Sequence, residues 1–311
     1  MKTLILGHTG FVGSNVFSFL QNQKVECKGL SKGTGVDLRN SEELIKEIKE
    51  FKPDYIINCA AHVGSLNYVT EFAGDVISNN TKLILSLYEA ISKTDRKIKI
   101  INPIANCGFP GNALIYKEEE WLNGSVHSSV LSYGNTRRLL VAFADSYKMQ
   151  YGIKSINLFV PNMYGKNDST DPNKAHALNA LISKFVKASN ENIKNIEIWG
   201  SGKVIREWLY AKDFAKIVFK ILTDEKLQMQ LENPINIAQN DGLSIKELSN
   251  IINSNFGYKF ELVFDKTKPD GAPKKVMDDT NFRKIFTNFQ FEDFHTGIKD
   301  TIEYYKSVYP Y

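Results

Sequence analysis

Short apolar runs alternate with amphipathic stretches along the first half of the chain. The apolar runs predict buried strands at residues 3–7, 25–30, 55–59, 98–101 and 154–159. The amphipathic stretches predict helices near residues 14–23, 41–51, 80–92 and 133–151. Strands that alternate with helices are typical of a parallel sheet covered on both faces. The pattern therefore predicts an α/β protein with a Rossmann-type doubly wound parallel sheet.

The pattern changes after Gly165. A polar loop at residues 166–174 precedes an amphipathic helix at 176–189. The remainder predicts short strands at 196–198 and 235–237, a turn at Gly200 and Gly202, and helices near 211–222, 245–256 and 295–305. We therefore expect a smaller mixed α/β domain to follow the first one.

Composition narrows the class of protein. Hydrophobic residues make up 42% and charged residues 24%, which excludes a disordered, collagen-like or coiled-coil chain. Scattered cations and a net charge of +4 (39 − 35) give no reason to expect nucleic acid as a partner. No apolar window reaches the roughly 18 residues of a membrane span, so we expect neither an anchor nor a signal peptide.

Cysteine and histidine usage indicates neither disulfides nor metal chemistry. The three cysteines form no C-x-x-C pair, and the five histidines lie far apart without metal-ligand spacing. An odd number of cysteines in a chain of this size fits a reducing compartment. We therefore expect a cytoplasmic protein without a metal.

A G-x-x-G-x-x-G turn joins the first predicted strand to the first helix. Glycines let the backbone turn sharply and approach a pyrophosphate, whose charge meets the N–H groups at the helix N-terminus. The predicted cofactor-binding residues of this turn are Gly7, His8, Thr9, Gly10, Phe11, Val12 and Gly13. The alternative is a tight turn without a ligand. The turn predicts that the first domain binds a dinucleotide and comprises residues 1–165, with contributions from about 207–240. The predicted substrate domain comprises residues 166–206 and 241–311.

The end of the second strand bears on the choice of cofactor. An acidic residue there would select NAD, and a nearby arginine would suit the 2′-phosphate of NADP. The sequence has Ser31 and Lys32 instead. We favour NAD(H), while Lys32 leaves NADP(H) open. Asp37, which Leu38 follows, is placed to meet the amino group of the adenine; the alternative is that Asp37 caps a helix or a turn. The predicted cofactor site is completed after the third strand by Ala60, Ala61 and His62.

Longer motifs resemble one enzyme family. They are GHTGFVGS at 7–14, NCAAHVG at 58–64, Tyr133 at the start of a helix, NMYG at 162–165, WGSG at 199–202 followed by Arg206 and Glu207, and KPDG at 268–271. On these motifs nearly the whole chain resembles the extended short-chain dehydrogenase/reductases that modify nucleotide sugars, in particular GDP-L-fucose synthases and related GDP-manno-heptose C-4 dehydrogenases/reductases. The resemblance implies a GDP-sugar substrate and a homodimer formed by the helices that begin near Asn80 and Tyr133.

The resemblance also implies a catalytic tyrosine with a lysine four residues later. Tyr133 matches the tyrosine, but the lysine position holds Arg137. A phenol with an ordinary pKa of about 10 is a poor base at neutral pH, and a nearby cation lowers that pKa. Arg137 keeps the charge and can bond the nicotinamide ribose, but it cannot relay a proton.

Three further catalytic positions follow from the resemblance. Ala105 replaces the family's catalytic serine, and either Asn106 substitutes for it or the register shifts by one residue. Cys107 and His176 match the family's acid and base for epimerisation. The alternatives are a buried small hydrophobic residue for Cys107 and the head of a helix for His176.

The predicted substrate-binding residues lie mostly in the second half of the chain. Asn162 matches a position that holds the sugar or its phosphate, and Lys184, Arg206 and Lys275 carry charges suited to a diphosphate. Trp199 offers a face for guanine stacking, although packing is an equal alternative.

Together these residues predict an NAD(H)-dependent oxidoreductase that transfers hydride at carbon 4 of a GDP-linked heptose or hexose, in the synthesis of sugars for bacterial surface polysaccharides. We favour oxidation of the 4-hydroxyl, because epimerisation asks more of the serine, cysteine and histidine positions, where the chain departs from the family. One alternative is a GDP-L-fucose-synthase-like 3,5-epimerase/4-reductase that uses NADPH. Another is a non-catalytic dinucleotide-binding module.

Overall fold

The computed structural model describes residues 1–171, 174–268 and 270–311. Pro172 and Asn173 of the predicted polar loop and Pro269 of the KPDG motif lie outside the described residues.

The strands are short and fall into three sheets. In chain order they are β1 (Lys2–Leu6), β2 (Glu26–Leu30), β3 (Tyr55–Asn58), β4 (Lys99–Ala105), β5 (Ser155–Val160), β6 (Asn162–Tyr164), β7 (Asn195–Trp199), β8 (Ile205–Tyr210), β9 (Ile235–Asn236), β10 (Gly242–Ser244), β11 (Glu261–Asp265) and β12 (Lys274–Lys275). The largest sheet has six parallel strands in the order β2-β1-β3-β4-β5-β9.

Helices cover both faces of this sheet. In chain order they are α1 (Phe11–Asn22), α2 (Ser41–Phe51), α3 (Leu66–Glu71), α4 (Ala73–Ser92), α5 (Leu131–Tyr151), α6 (Ala177–Asn190), α7 (Ala211–Thr223), α8 (Glu225–Met229), α9 (Ile245–Asn253), α10 (Thr280–Ile285) and α11 (Phe294–Val308). α4 packs against α2 and α5, whereas α1 packs against α7, and a separate apolar core lies on each face. The predicted Rossmann-type doubly wound fold is confirmed.

The remaining strands form a smaller mixed α/β region. β8 lies between β10 and β12 and also pairs with β6, while β11 pairs with β7. Within the predicted contribution of residues 207–240 to the first domain, β9 joins the large sheet and α7 packs on α1, but β8 belongs to the smaller sheet. The division into two domains remains a prediction. Among the described residues, no helix has the length and apolar character needed to cross a membrane.

Several short elements were not predicted from the sequence, and two differences lie close to the candidate site. α4 begins at Ala73, seven residues before the predicted start, because Gly74 and Asp75 hide its first turn from a pattern based on apolar spacing. β8 was missed because it contains Arg206 and Glu207. Glu207 is nevertheless fully buried, and its carboxylate accepts the backbone N–H groups of Gln239 at 2.6 Å and Met277 at 2.8 Å.

The strand order predicts a crevice at the carboxyl ends of the strands of the large sheet. From β1 the chain goes first to β2 on one side and later to β3 on the other. At such a switch point the connections diverge and leave a ligand-sized opening beyond the carboxyl ends of the strands. The candidate site is therefore built around the ends of β1, β3 and β4.

Candidate functional site

The glycine turn lies at the end of β1 and is tightly packed. Gly7 has a φ of +75°, and its carbonyl oxygen accepts the N–H of Gly10 at 2.9 Å. A Cβ on Gly7 would approach the Ala60 backbone to 2.9 Å, and a Cβ on Gly13 would overlap the Gly7 carbonyl oxygen. Only glycine fits these positions, so the backbone of the turn stays close to the surface where α1 begins.

The N-terminus of α1 suits a phosphate group. Gly10 caps this 12-residue helix without a side-chain hydrogen bond, and the first turn contains no acidic residue. Helix N-terminal N–H groups that lack such partners attract anions. The glycine turn therefore fits the pyrophosphate of a dinucleotide, which Gly10, Phe11, Val12 and Gly13 would hold through their backbone.

Two side chains of the turn serve packing instead. The ring of His8 lies 5.2 Å from the ring of Phe17 and fills the space above Gly29 of β2. Phe11 is buried, and its ring lies 5.2 Å from that of His176. The side chains of His8 and Phe11 thus pack inside the protein, and the cofactor contacts predicted for these residues stay a prediction.

The end of β2 presents hydroxyl groups and a cation. Ser31 is only 5% exposed, and its hydroxyl has no hydrogen-bond partner among residues 1–171, 174–268 and 270–311. Side-chain atoms of both Ser31 and Thr9 lie within 3.5 Å of the position of a Cβ on Gly33. Lys32 is exposed beside them. Two hydroxyl groups and an ammonium, without a carboxylate at the strand end, suit a ribose phosphate better than a free ribose.

Asp37 and Leu38 are occupied by other partners. Both carboxylate oxygens of Asp37 accept hydrogen bonds from Arg39, at 2.9 Å and 2.6 Å, and this arginine lowers the pKa of Asp37 to about 2. Arg39 also donates to Asn79 at 2.6 Å. The side chain of Leu38 is buried in the core, and a contact of this residue with the cofactor stays a prediction. Its position follows from packing that apolar spacing does not reveal.

The loop after β3 is held by α4. The Asn80 amide accepts the N–H of His62 at 3.2 Å and donates to the His62 carbonyl at 2.8 Å. The His62 ring contacts the Tyr68 hydroxyl at 2.9 Å, and burial lowers the pKa of His62. Ala60 lies against Gly7, whereas Ala61 is exposed. This loop therefore lies directly beside the glycine turn at the end of β1.

Tyr133 and Arg137 lie together on α5, as their spacing predicts. The Arg137 guanidinium is centred 4.6 Å from the Tyr133 ring, and it donates to Asn80 Oδ1 at 2.9 Å. Arg137 is only 4% exposed. Burial raises the pKa of Tyr133 by more than Arg137 lowers it. The phenol is thus protonated at neutral pH and able to donate a proton.

The end of β4 faces the same region. Ala105 ends the strand and offers no side-chain donor, whereas the Asn106 amide nitrogen is buried without a partner among the described residues. Cys107 follows in a short 3₁₀ turn, and a Cβ on Gly134 would lie 2.6 Å from the Cys107 carbonyl oxygen. Burial raises the pKa of Cys107, although Lys275 and Arg137 oppose this effect. The thiol therefore stays protonated at neutral pH.

His176 is oriented by Asp168, a residue that the sequence analysis did not select. Asp168 accepts the His176 backbone N–H at 2.8 Å, the ring Nδ1 at 3.1 Å and the Asn179 amide at 2.9 Å. Burial alone would raise the pKa of Asp168, but the hydrogen bonds from His176 lower it overall. An ionised carboxylate only accepts hydrogen bonds, so Nδ1 carries the proton and Nε2 remains for chemistry.

Replacing Asp168 with asparagine should lower the free energy of unfolding by about 1–3 kcal/mol at pH 7, because an amide cannot accept all three donors. The pKa of Asp168 in the folded state is below its ordinary value of 3.8. The ionised carboxylate therefore stabilises the fold at a pH above 3.8, and this stabilisation is lost as the pH falls through the lower pKa of the folded state. Denaturant unfolding from pH 3 to 7 should show the gap to wild type narrowing below about pH 4. The exposed Asp145→Asn on α5 is the control, and a gap independent of pH would contradict the charge argument.

Arg206 and Lys275 are brought together by the smaller sheet. They are register partners on β8 and β12, and Arg206 donates to the carbonyl oxygen of Asp270 at 3.3 Å. The Asp270 carboxylate accepts the Ser201 N–H at 2.7 Å, so the WGSG and KPDG segments meet. Burial lowers the pKa of Arg206 and of Lys275. Two closely spaced cations suit a diphosphate, as the sequence predicts for these residues.

Trp199, Lys184 and Asn162 lie on the same smaller region. Trp199 is 50% exposed, and the ammonium groups of Lys184 and Lys268 lie 5.2 Å and 5.4 Å from its ring centre. Lys184 also donates to the Glu197 carbonyl at 3.2 Å. Asn162 starts β6, in register with Trp208 of β8. The Trp199 ring thus already contacts cations, which would meet the phosphates of a nucleotide stacked there.

Comparison with known proteins places the chain among nucleotide-sugar enzymes. The model of the NAD dependent epimerase/dehydratase family matches residues 3–238. A GDP-L-fucose synthase from Sinorhizobium fredii is 30% identical over 274 residues, 88% of this chain and 85% of that protein. A GDP-6-OMe-4-keto-L-xylo-heptose reductase from C. jejuni has a TM-score of 0.88 at 25% identity, covering 98% of this chain and 97% of the other. A GDP-mannoheptose C4 reductase from Campylobacter jejuni with NADP bound has a TM-score of 0.84 at 27% identity, covering 98% of each chain.

Proposed function

The chain belongs to the NAD dependent epimerase/dehydratase family and is an enzyme, and on this premise we propose that it reduces the 4-keto group of a GDP-linked sugar with NADPH. The observation that carries the proposal is the position of the Tyr133 phenol, whose ring centre lies 4.6 Å from the Arg137 guanidinium; a phenol is protonated at neutral pH. A protonated phenol is suited to donate to a carbonyl oxygen, whereas oxidation would require a base. The reductases among the similar proteins support this direction over the oxidation with NAD that we expected from sequence.

The residues of the crevice fit the dinucleotide. The glycine turn and the start of α1 would hold the pyrophosphate, and Ser31, Lys32 and Thr9 would hold a 2′-phosphate on the adenosine ribose. The cofactor supplies the hydride when it is bound. Tyr133 gives its proton to the carbonyl oxygen of carbon 4, which becomes a hydroxyl. Arg137 stabilises the phenolate left behind, and water returns the proton because a guanidinium does not release one.

Cofactor choice tests the proposal directly. The purified protein should oxidise NADPH at 340 nm when given a GDP-linked 4-keto sugar, with a kcat/KM at least about tenfold above that with NADH. Lys32→Ala should remove most of this preference, because it weakens the binding of NADPH and leaves the binding of NADH unchanged. The end of β2 has no carboxylate that would bind the ribose hydroxyl groups of NADH. Lys46→Ala, an exposed change on α2, is the matched control.

Two results would contradict this assignment. Equal use of NADH and NADPH by the wild type would contradict the proposal that the end of β2 binds the 2′-phosphate of NADPH. Absence of any NADPH oxidation with GDP-linked 4-keto hexoses and heptoses would overturn the substrate class.

A second candidate function adds proton exchange at carbons 3 and 5 before reduction. The observation that favours it is the His176–Asp168 pair, which leaves His176 Nε2 available as an acid or base. The protonated Cys107 thiol could supply the other proton. Turnover in deuterated water distinguishes the two, because solvent label at carbon 3 or 5 requires exchange, whereas turnover without label supports reduction alone.

A homodimer remains a proposal that the surface of α4 supports. Ile77 and Leu85 are large apolar side chains, 43% and 39% exposed, two helical turns apart on the same side of α4. A second copy would cover them if α4 and α5 of two chains packed together. Light scattering of the wild type and of Ile77→Asp with Leu85→Asp tests this arrangement, and an unchanged mass would contradict it.

A further inference from the structure

Tyr116 is a buried tyrosine that the sequence analysis did not select. It lies between β4 and α5, where its N–H donates to the Val276 carbonyl at 2.8 Å and its carbonyl accepts the Asp278 N–H at 2.9 Å. Its ring stacks on Phe109 with centroids 4.7 Å apart and planes 2° apart. The backbone and ring are thus fixed between the turn that carries Cys107 and the strand that carries Lys275.

The hydroxyl of Tyr116 has no evident role in folding. The residue is 1% exposed, yet its hydroxyl makes no hydrogen bond within the described ranges. Burial raises the pKa of Tyr116 to about 12, an effect that Arg206 opposes and Cys107 adds to. The phenol is therefore neutral and available as a donor, on a residue that bonds Val276, next to Lys275, and stacks on Phe109, two residues after Cys107. Phenylalanine would satisfy the same packing.

The groups around this hydroxyl define which part of a substrate it would meet. Arg206 and Lys275 are register partners with charges suited to a diphosphate. Cys107 lies at the end of β4, beside α5 with its Tyr133. A substrate that spans from the cations to Tyr133 passes Tyr116 with its sugar.

We propose that the Tyr116 hydroxyl donates a hydrogen bond to the sugar of the GDP-linked substrate, between the diphosphate and carbon 4. This inference rests on the proposed function. Tyr116 is then a substrate-binding residue that helps to fix the sugar for hydride transfer, and it supplies a donor in a region where Ala105 offers none.

Calorimetric titration of Tyr116→Phe with GDP and with GDP-mannose, both in the presence of NADP⁺, tests the proposal. The variant should bind GDP within about twofold of wild type and GDP-mannose roughly 5–10-fold more weakly, because only the second ligand carries a sugar. Its unfolding midpoint should stay unchanged, since no protein hydrogen bond is lost. Tyr305→Phe is the matched control: it loses the bond from its hydroxyl to the Ser169 carbonyl at 3.1 Å and should lose stability but keep its affinity for GDP-mannose.

The possible outcomes separate the alternatives. Equal weakening of GDP and GDP-mannose would place the hydroxyl at the nucleotide or diphosphate and overturn the proposal. An unchanged affinity for GDP-mannose would overturn it as well. If the wild type binds neither ligand, the proposed function fails rather than the position of Tyr116 within the site.

Discussion

Replacing Tyr133 with phenylalanine should lower kcat for NADPH-dependent reduction by about 10²–10⁴-fold, the usual contribution of a positioned general acid. The variant keeps the ring that contacts the Arg137 guanidinium and loses only the hydroxyl. Binding of NADPH, followed by its fluorescence, should therefore change little. Loss of absorbance at 340 nm under saturating substrate measures kcat.

The control is Tyr147→Phe on the same helix. The Tyr147 ring packs against Tyr88 and Phe143 away from the crevice, so this variant should keep wild-type kcat. If Tyr133→Phe retained more than about a tenth of wild-type turnover, another group would have to deliver the proton, and the role assigned to Tyr133 would be wrong. A large loss of NADPH affinity would instead indicate a positioning role.

Local signals in the sequence were sufficient for the large sheet and the glycine turn. β1 has three buried apolar residues in succession, Leu4, Ile5 and Leu6, and leads into a turn that contains Gly7, Gly10 and Gly13. The spacing of Tyr133 and Arg137 placed both on one face of α5, because residues four apart on a helix are neighbours. Each of these features depends on residues close together in the chain.

Features that depend on distant residues could not be predicted in this way. Asn80 binds Arg137 from 57 positions away, and Tyr116 bonds the segment that follows β12 across more than 150 residues. Asp168 is eight residues before His176, but its role depends on how the polar loop folds back onto the start of α6. The position of the His8 ring also depends on a distant residue, because Gly29 on β2 leaves the space that the ring fills.

Replacing Gly13 with alanine should abolish NADPH binding, with the dissociation constant rising by more than about 100-fold. A methyl group at this position overlaps the Gly7 carbonyl oxygen and comes within 2.9 Å of the His8 Cα. The turn cannot move away easily, because the same carbonyl accepts the Gly10 N–H and Gly7 already lies against Ala60. The backbone would have to shift at the turn that we propose holds the pyrophosphate. Fluorescence titration with NADPH measures the loss.

Two further glycine variants make this prediction specific. A Cβ on Gly10 would lie 3.3 Å from the Gly7 carbonyl oxygen, so Gly10→Ala should weaken binding by less than Gly13→Ala does. Gly74, in the first turn of α4, has no atom within 4 Å of its Cβ position. Gly74→Ala should keep wild-type affinity and gain up to about 1 kcal/mol in the free energy of unfolding, because alanine favours a helix over glycine. The loss of NADPH affinity should be largest for Gly13→Ala, smaller for Gly10→Ala and absent for Gly74→Ala. Any other order would mean that close packing of the backbone in this turn does not determine cofactor binding.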